Sequence, residues 1–205
     1  MAEPYKSVLL FGGPGTGKGT QGKILGAIPG FFHCASGDIF RSVDRDSELG
    51  KIFHEYSSRG ELVPDDLTVK MWQEAVRNRI TAADFKPDRD LLLLDGIPRT
   101  VEQARIMGRL ISVLRVLHLA CDDPEPMFER LRRRALKEGR RDDADEHVIR
   151  NRWEVYERET APVLAHYPPK LVTKINPIGT PSRVLRSILE VVEPTQGDHF
   201  SAFEG

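Results

Sequence analysis

Short apolar runs alternate along this chain with longer stretches whose apolar residues recur every three or four positions. Residues 7–11 (SVLLF), 32–34, 91–94, 113–120 and 171–175 read as strands. The first and third are almost wholly apolar, as expected of strands buried on both faces. Between the strands lie amphipathic helices. Val69, Trp72, Val76 and Ile80 share one helical face, after a start signal at Pro64-Asp65-Asp66. Ile149, Trp153, Tyr156 and Val163 are expected to form a second face, and Val184, Leu185, Ile188 and Leu189 a third. These stripes read as core. The alternation predicts an α/β fold, with five strands in a mostly parallel sheet covered by helices. Two polar insertions interrupt that rhythm, at 36–65 and at the Arg-rich 130–143. The segment after Glu193 is polar and aperiodic, and is expected to be disordered. Neither a repeat nor a Pro- or Ser-rich linker divides the chain.

Composition narrows the function classes. With 205 residues the chain can bury one sizeable core, and 40% hydrophobic with 30% charged residues is a globular balance. The longest apolar run is strand-sized, so no membrane span is expected. Met1-Ala2-Glu3-Pro4-Tyr5 lacks the features of a signal peptide, which leads to an expectation of a cytoplasmic protein. Thirty Lys and Arg against 31 Asp and Glu give a net charge of −1, a poor match to a nucleic-acid binder. Cys34 and Cys121 have no second pair beside them. They read as small apolar residues rather than as metal ligands or a disulfide.

The strongest chemical signal is GGPGTGK at 12–18, between an apolar strand and a helix expected over 19–27. Glycines let the backbone curl so that several N–H groups face one phosphate, and the helix start adds its positive dipole end. Lys18 supplies a mobile charge for the outer phosphates of a nucleoside triphosphate. Gly19 follows, where most such loops carry a Ser or Thr hydroxyl for Mg²⁺. A metal must then be held elsewhere, through water on acidic residues.

The strand at 91–94 ends in Asp95, and the next residue is Gly96 rather than a Glu able to activate water. An acceptor that brings its own anionic oxygen therefore fits better than water. Catalysis would then rest on positioning and charge neutralisation. Arg41, Arg99, Arg130, Arg134, Arg140, Arg141 and Arg152 supply cations suited to forked phosphate recognition. Taken alone, 130–141 reads as a solvated basic face. Asp142, Asp143, Asp145 and Glu146 argue against a nucleic-acid patch there.

Together these residues resemble the adenylate kinase family. GGPGTGKGTQ (12–21), SGDIFR (36–41), GELVPDD (60–66), DGIPRTVEQ (95–103), GRRDD (139–143) and YERETAPV (156–163) occur in the family's order and at about its spacing. The resemblance runs from about residue 5 to residue 192. It implies a three-layer P-loop kinase fold with core 1–35, 66–133 and 144–193. A mobile monophosphate-binding insertion would occupy 36–65, a short lid 134–143 and a tail 194–205.

The implied reaction is Mg·ATP + AMP ⇌ 2 ADP. Gly13, Pro14, Gly15, Thr16, Gly17, Lys18, Gly19 and Thr20 would hold the ATP phosphates. Arg130 and Gly179 would meet the ATP base. Ser36, Arg41, Leu62, Val63, Gly96, Arg99 and Gln103 would form the AMP site, with Gln103 reading the adenine edge. Arg134, Arg140 and Arg152 would surround the transferring group, and Asp38 and Asp95 would anchor hydrated Mg²⁺. The short lid has no Cys, so a structural zinc is not expected. A monomer is the default expectation, since no exposed apolar stripe beyond the core faces is evident.

The chain also departs from the family pattern. Ser36 stands for the usual Thr, Ile97 for Phe (read as simple apolar packing), and Arg141 for an apolar residue. One extra residue between Asp143 and Arg152 leaves Arg150 as a second register. Arg152, three residues after Ile149 and next to Trp153, is the choice. A uridylate or cytidylate kinase remains the alternative among kinases. Outside them stand a P-loop ATPase acting on a partner protein and a nucleic-acid binder using the arginines at 130–141.

Overall fold

The computed structural model describes residues 3–138 and 145–199. Five strands form its sheet: β1 (Tyr5–Gly12), β2 (Phe31–Ala35), β3 (Leu91–Asp95), β4 (Ile111–Leu119) and β5 (Val172–Ile175). Their order is β2-β3-β1-β4-β5, and every pairing is parallel. Parallel neighbours need crossovers, and the helices between the strands provide them. These are α1 (Lys18–Leu25), α2 (Ser36–Arg41), α3 (Glu48–Arg59), α4 (Asp65–Thr81), α5 (Val101–Met107), α6 (Glu125–Glu138), α7 (Glu146–Val155) and α8 (Pro181–His199).

The period-2 geometry of the strands sorts their residues into two cores. Leu9, Phe11, Leu92 and Leu94 face α4 and α5, meeting Val69, Trp72, Val76, Ala104 and Met107. Val8, Leu10, Leu91 and Leu93 face the other way, onto Leu25 of α1 and Val184, Ile188 and Val192 of α8. The result is three layers, as the apolar runs implied. Ile97 lies within the first core, consistent with its reading as packing. Local signals start the helices between these layers. Ser47 accepts from the Gly50 N–H at 3.0 Å ahead of α3, and Thr100 from the Gln103 N–H at 3.0 Å ahead of α5.

Three expectations are corrected. Ile149, Trp153 and Val163 do not share a face. After α7 the backbone widens to a π-turn over Tyr156–Thr160 and tightens to a 3-10 turn over Ala161–His166, which rotates the later side chains. Ile149 and Trp153 pack with Met127, Phe128 and Leu131 of α6, whereas Val163 joins the first core. The Arg-rich stretch is not a polar insertion from its start, because residues 130–138 complete α6. The segment after Glu193 continues α8 to His199, although Pro194 lies inside it. Thr195 is 3% exposed and Gln196 Nε2 donates to Pro29 O at 2.7 Å. These tertiary contacts outweigh the backbone bond that the proline removes.

Residues 139–144 and 200–205 lie outside the described residues. Among those described, no helix is long and apolar enough to cross a membrane.

Gln196→Ala is expected to lower the unfolding free energy by about 1 kcal/mol. Urea denaturation measures this as an earlier midpoint at unchanged slope. An unmoved midpoint would show that the last turn of α8 is not tied to the core.

Candidate active site

The loop after β1 emerges at the middle of the carboxyl edge of the sheet, where doubly wound folds bind ligands. Its first helical hydrogen bond is Gln21 N–H to Gly17 O at 3.0 Å. The N–H groups of Lys18, Gly19 and Thr20 therefore stand outside the helical ladder. Thr16 is used internally, its hydroxyl donating to Gly13 O at 2.8 Å. A Cβ on Gly13 would overlap the ring of Trp153, so only glycine lets the loop lie against α7. Lys18 Nζ donates to Gly12 O at 2.6 Å and Gly13 O at 3.0 Å. Burial pushes the Lys18 pKa down to about 8. Asp95 opposes that shift, and Arg99, Arg152 and Arg134 add to it.

One cleft gathers most of the expected residues. Pro14, Lys18, Ser36, Arg41, Leu62, Val63, Gly96, Arg99, Gln103 and Arg152 all line it. Gly96 organises its floor. With φ +74, it takes a conformation that a side chain resists, and a Cβ there would stand 2.9 Å from both Ser36 Oγ and Arg99 Nη2. Its carbonyl accepts from Ser36 Oγ at 2.7 Å and Arg99 Nε at 2.8 Å. Burial lowers the Arg99 pKa to about 10, with Arg152 and Arg41 pushing the same way and Asp95 against. Among the described residues the cleft has one acidic lining side chain, Glu61, which is exposed and pairs with Arg59 at 2.9 Å. Lys18 and Arg99, both strongly desolvated and repelled by neighbouring arginines, make this a place where an anion is favoured.

Arg150 and Arg152 separate clearly. Arg152 faces the cleft. Arg150 pairs with Glu146 at 2.8 Å, and its guanidinium lies 5.0 Å from the Phe128 ring centroid. Arg134 is on α6, within electrostatic reach of Lys18. Arg130 and Gly179 do not line this cleft. Arg130 Nη1 donates to Pro177 O at 3.0 Å, in the loop after β5 that carries Gly179. The two sets thus lie toward opposite ends of the sheet edge. Gly139, Arg140 and Arg141 lie outside the described residues.

Two carboxylates, one of them already paired with Arg41, are candidates to serve a divalent cation. Asp95 is 8% exposed, and a Cβ on Gly19 would lie 3.6 Å from its Oδ2. A carboxylate therefore stands beside the position that lacks a hydroxyl. His33 Nε2 is 3.4 Å from the same oxygen. Burial raises the Asp38 pKa, but the Arg41 hydrogen bond at 2.6 Å and the Arg41 charge outweigh it and hold the group below the usual range. Both are hard oxygen donors of the kind hydrated Mg²⁺ takes, so the residues fit. No three His, Cys, Asp or Glu side chains converge as a metal site among the described residues.

The sequence reading missed several neighbours. Phe40 and Phe53 stack at 5.3 Å and line the cleft, as do Thr68, Tyr156 and Thr160. The Tyr156 hydroxyl meets His118 Nε2 at 2.9 Å, pinning the π-turn to β4. Burial, with Lys174 and Lys18, holds His118 below its ordinary pKa. Phe40 sits in the SGDIFR block and could have been suspected. Tyr156 could not, since its direction depends on the π-turn.

Comparison with known proteins agrees with this geometry. The adenylate kinase family model matches residues 10–172. An adenylate kinase of Flavobacterium psychrophilum is 36% identical over 193 residues, covering 91% of this chain and 97% of the relative. One from Thermus thermophilus is 36% identical over 190 residues, covering 89% and 95%. One from Kocuria rhizophila is 36% identical over 192 residues, covering 91% and 98%. With the phosphate loop, the arginine-lined cleft and these matches in agreement, the chain belongs to the adenylate kinase family.

Proposed function

We propose that this chain is an ATP:AMP phosphotransferase, moving the terminal phosphoryl group of ATP reversibly onto AMP to give two ADP. The observation that carries the reading is the cleft in which Lys18, Arg41, Arg99 and Arg152 converge, with its one acidic lining residue already paired. A phosphate of AMP is anionic at neutral pH and needs no general base. Its oxygen attacks the γ-phosphorus of ATP, and the bond to the β–γ bridging oxygen breaks, leaving ADP.

Lys18 and the free N–H groups at the start of α1 hold the ATP phosphates. Arg130 and the loop at Gly179 bracket the ATP base. Arg41 and Arg99 grip the AMP phosphate, and Ser36, Leu62, Val63 and Gln103 surround its base. Arg134, Arg140 and Arg152 neutralise charge on the group in flight. Mg²⁺ carried on ATP supplies further charge neutralisation when bound, and Asp38 and Asp95 would hold its waters. Closure of 36–65 and of the lid at 134–143 excludes water as a competing acceptor. The exposed large apolar side chains Ile24, Leu49, Val101, Leu136 and Ile178 are scattered over different elements, which supports a monomer. Two free cysteines, Cys34 and Cys121, suit the reducing cytoplasm.

Steady-state comparison of AMP, CMP, UMP and GMP as acceptors tests the assignment. AMP is expected to give the highest kcat/KM, and faster turnover of CMP or UMP would overturn it. Arg99→Ala is expected to cut kcat/KM for AMP by about tenfold or more while ATP affinity changes little. Equal loss for both nucleotides would move Arg99 out of the AMP site.

Lys18 gives a pH signature. Its pKa is about 8 in the empty protein against 10.5 ordinarily, so the unfolded chain binds the extra proton between those values. The empty protein therefore gains stability from this group as pH rises through that window. A bound triphosphate raises the pKa again, so binding near pH 8 draws in a proton. Titration calorimetry in buffers of different ionisation enthalpy reads the uptake, and Lys18→Met is expected to remove it. Buffer-independent heats in the wild type would take Lys18 out of the phosphate site.

A further inference from the structure

The Gln103 side chain is only 1% exposed, yet it lines the cleft. Both ends of its amide are already engaged. Oε1 accepts the backbone N–H of Arg99 at 2.7 Å, and Nε2 donates to Asp65 Oδ1 at 2.8 Å. A glutamine amide offers two acceptor sites and two donor hydrogens. One of each is therefore used, and one of each is left for a ligand in the cleft.

Adenine presents an acceptor at N1 beside the donor 6-amino group. An amide in the orientation seen here complements that edge with two hydrogen bonds. A 6-oxopurine presents the reverse, a donor at N1 beside an acceptor at the 6 position, and needs the amide turned over. Turning it would set Nε2 against the Arg99 N–H and Oε1 against the Asp65 carboxylate. Donor would then face donor, and a carbonyl oxygen would face an anion. Both neighbours oppose the flip, and Asp65, being charged, opposes it more strongly.

We infer that Asp65 is a positioning residue for base choice, its carboxylate holding the Gln103 amide in the orientation that accepts AMP and rejects 6-oxopurine monophosphates. The inference rests on the reading of the cleft as the AMP site. An acidic residue in the first turn of α4 has a simpler explanation, since it complements the helix dipole. That explanation does not account for a bond to a buried amide 38 positions away in sequence. Asp65 comes from α4 and Gln103 from α5, so the pair also ties these two packed helices together.

The test compares AMP with inosine 5′-monophosphate, which differs only at the N1–C6 edge, in the full chain at saturating ATP. The wild type is expected to prefer AMP strongly. No preference would overturn the cleft reading, and this inference with it. Given that preference, Asp65→Ala is expected to lower the AMP-to-inosine monophosphate ratio of kcat/KM by about tenfold. The change should appear in KM for AMP, with kcat and KM for ATP near wild type. Asp65→Asn keeps the shape but can turn its own amide to donate to a flipped Oε1, so it is expected to lower the ratio as well. An unchanged ratio in Asp65→Ala overturns the role of Asp65 alone. So does a parallel fall for both monophosphates, which marks a merely structural residue. Asp65→Leu fills the same space and reads the same ratio if Asp65→Ala does not fold.

Discussion

Positive charge is crowded at one edge of this sheet, and the rest of the molecule is organised to tolerate it. Lys18, Arg99, Arg134, Arg152 and Arg41 act on one another there, with Asp95 opposing. With no anion beside them, Lys18 and Arg99 cost stability, because burial removes water and the neighbours repel. An arriving phosphate removes both costs at once. Binding of an anion there and folding are therefore coupled. The sheet makes this affordable. Strands such as Leu91–Asp95, buried along their whole length, give a base rigid enough to hold like charges together.

Around that charge, a continuous set of hydrogen bonds joins elements distant in sequence. Ser36 and Arg99 meet on the Gly96 carbonyl, the Arg99 N–H meets Gln103, and Gln103 meets Asp65. The loop after β3 thereby connects α2, α4 and α5. Arg99 and Gln103, proposed above to hold the phosphate and the base of AMP, thus belong to one network, so a shift in one is felt by the other.

Much of this was legible in the sequence for clear physical reasons. Strand positions followed from short apolar runs, and the two-sided burial of β1 and β3 from their lack of alternation. Glycines in the phosphate loop named its chemistry, because few other reasons put four of them around a lysine. Arg152 was recoverable from its spacing to Ile149 and Trp153. Tertiary effects were not. The π-turn at Tyr156 breaks the helical period, so Val163 could not be assigned to its core by counting. The polar, aperiodic run after Glu193 read as disorder, but the contacts of Thr195 and Gln196 hold it in α8. Asp65 looked like a helix-start acid, and only the folded chain reveals its partner 38 positions away.

The close approach of Gly13 to the indole of Trp153 has a practical side. The chain has two tryptophans, and the other, Trp72, is sealed in the core on the inner face of α4. Intrinsic emission is thus divided between an inert internal standard and a chromophore resting on the phosphate loop. A ligand that moves that loop is expected to change the emission of Trp153 in the unlabelled protein.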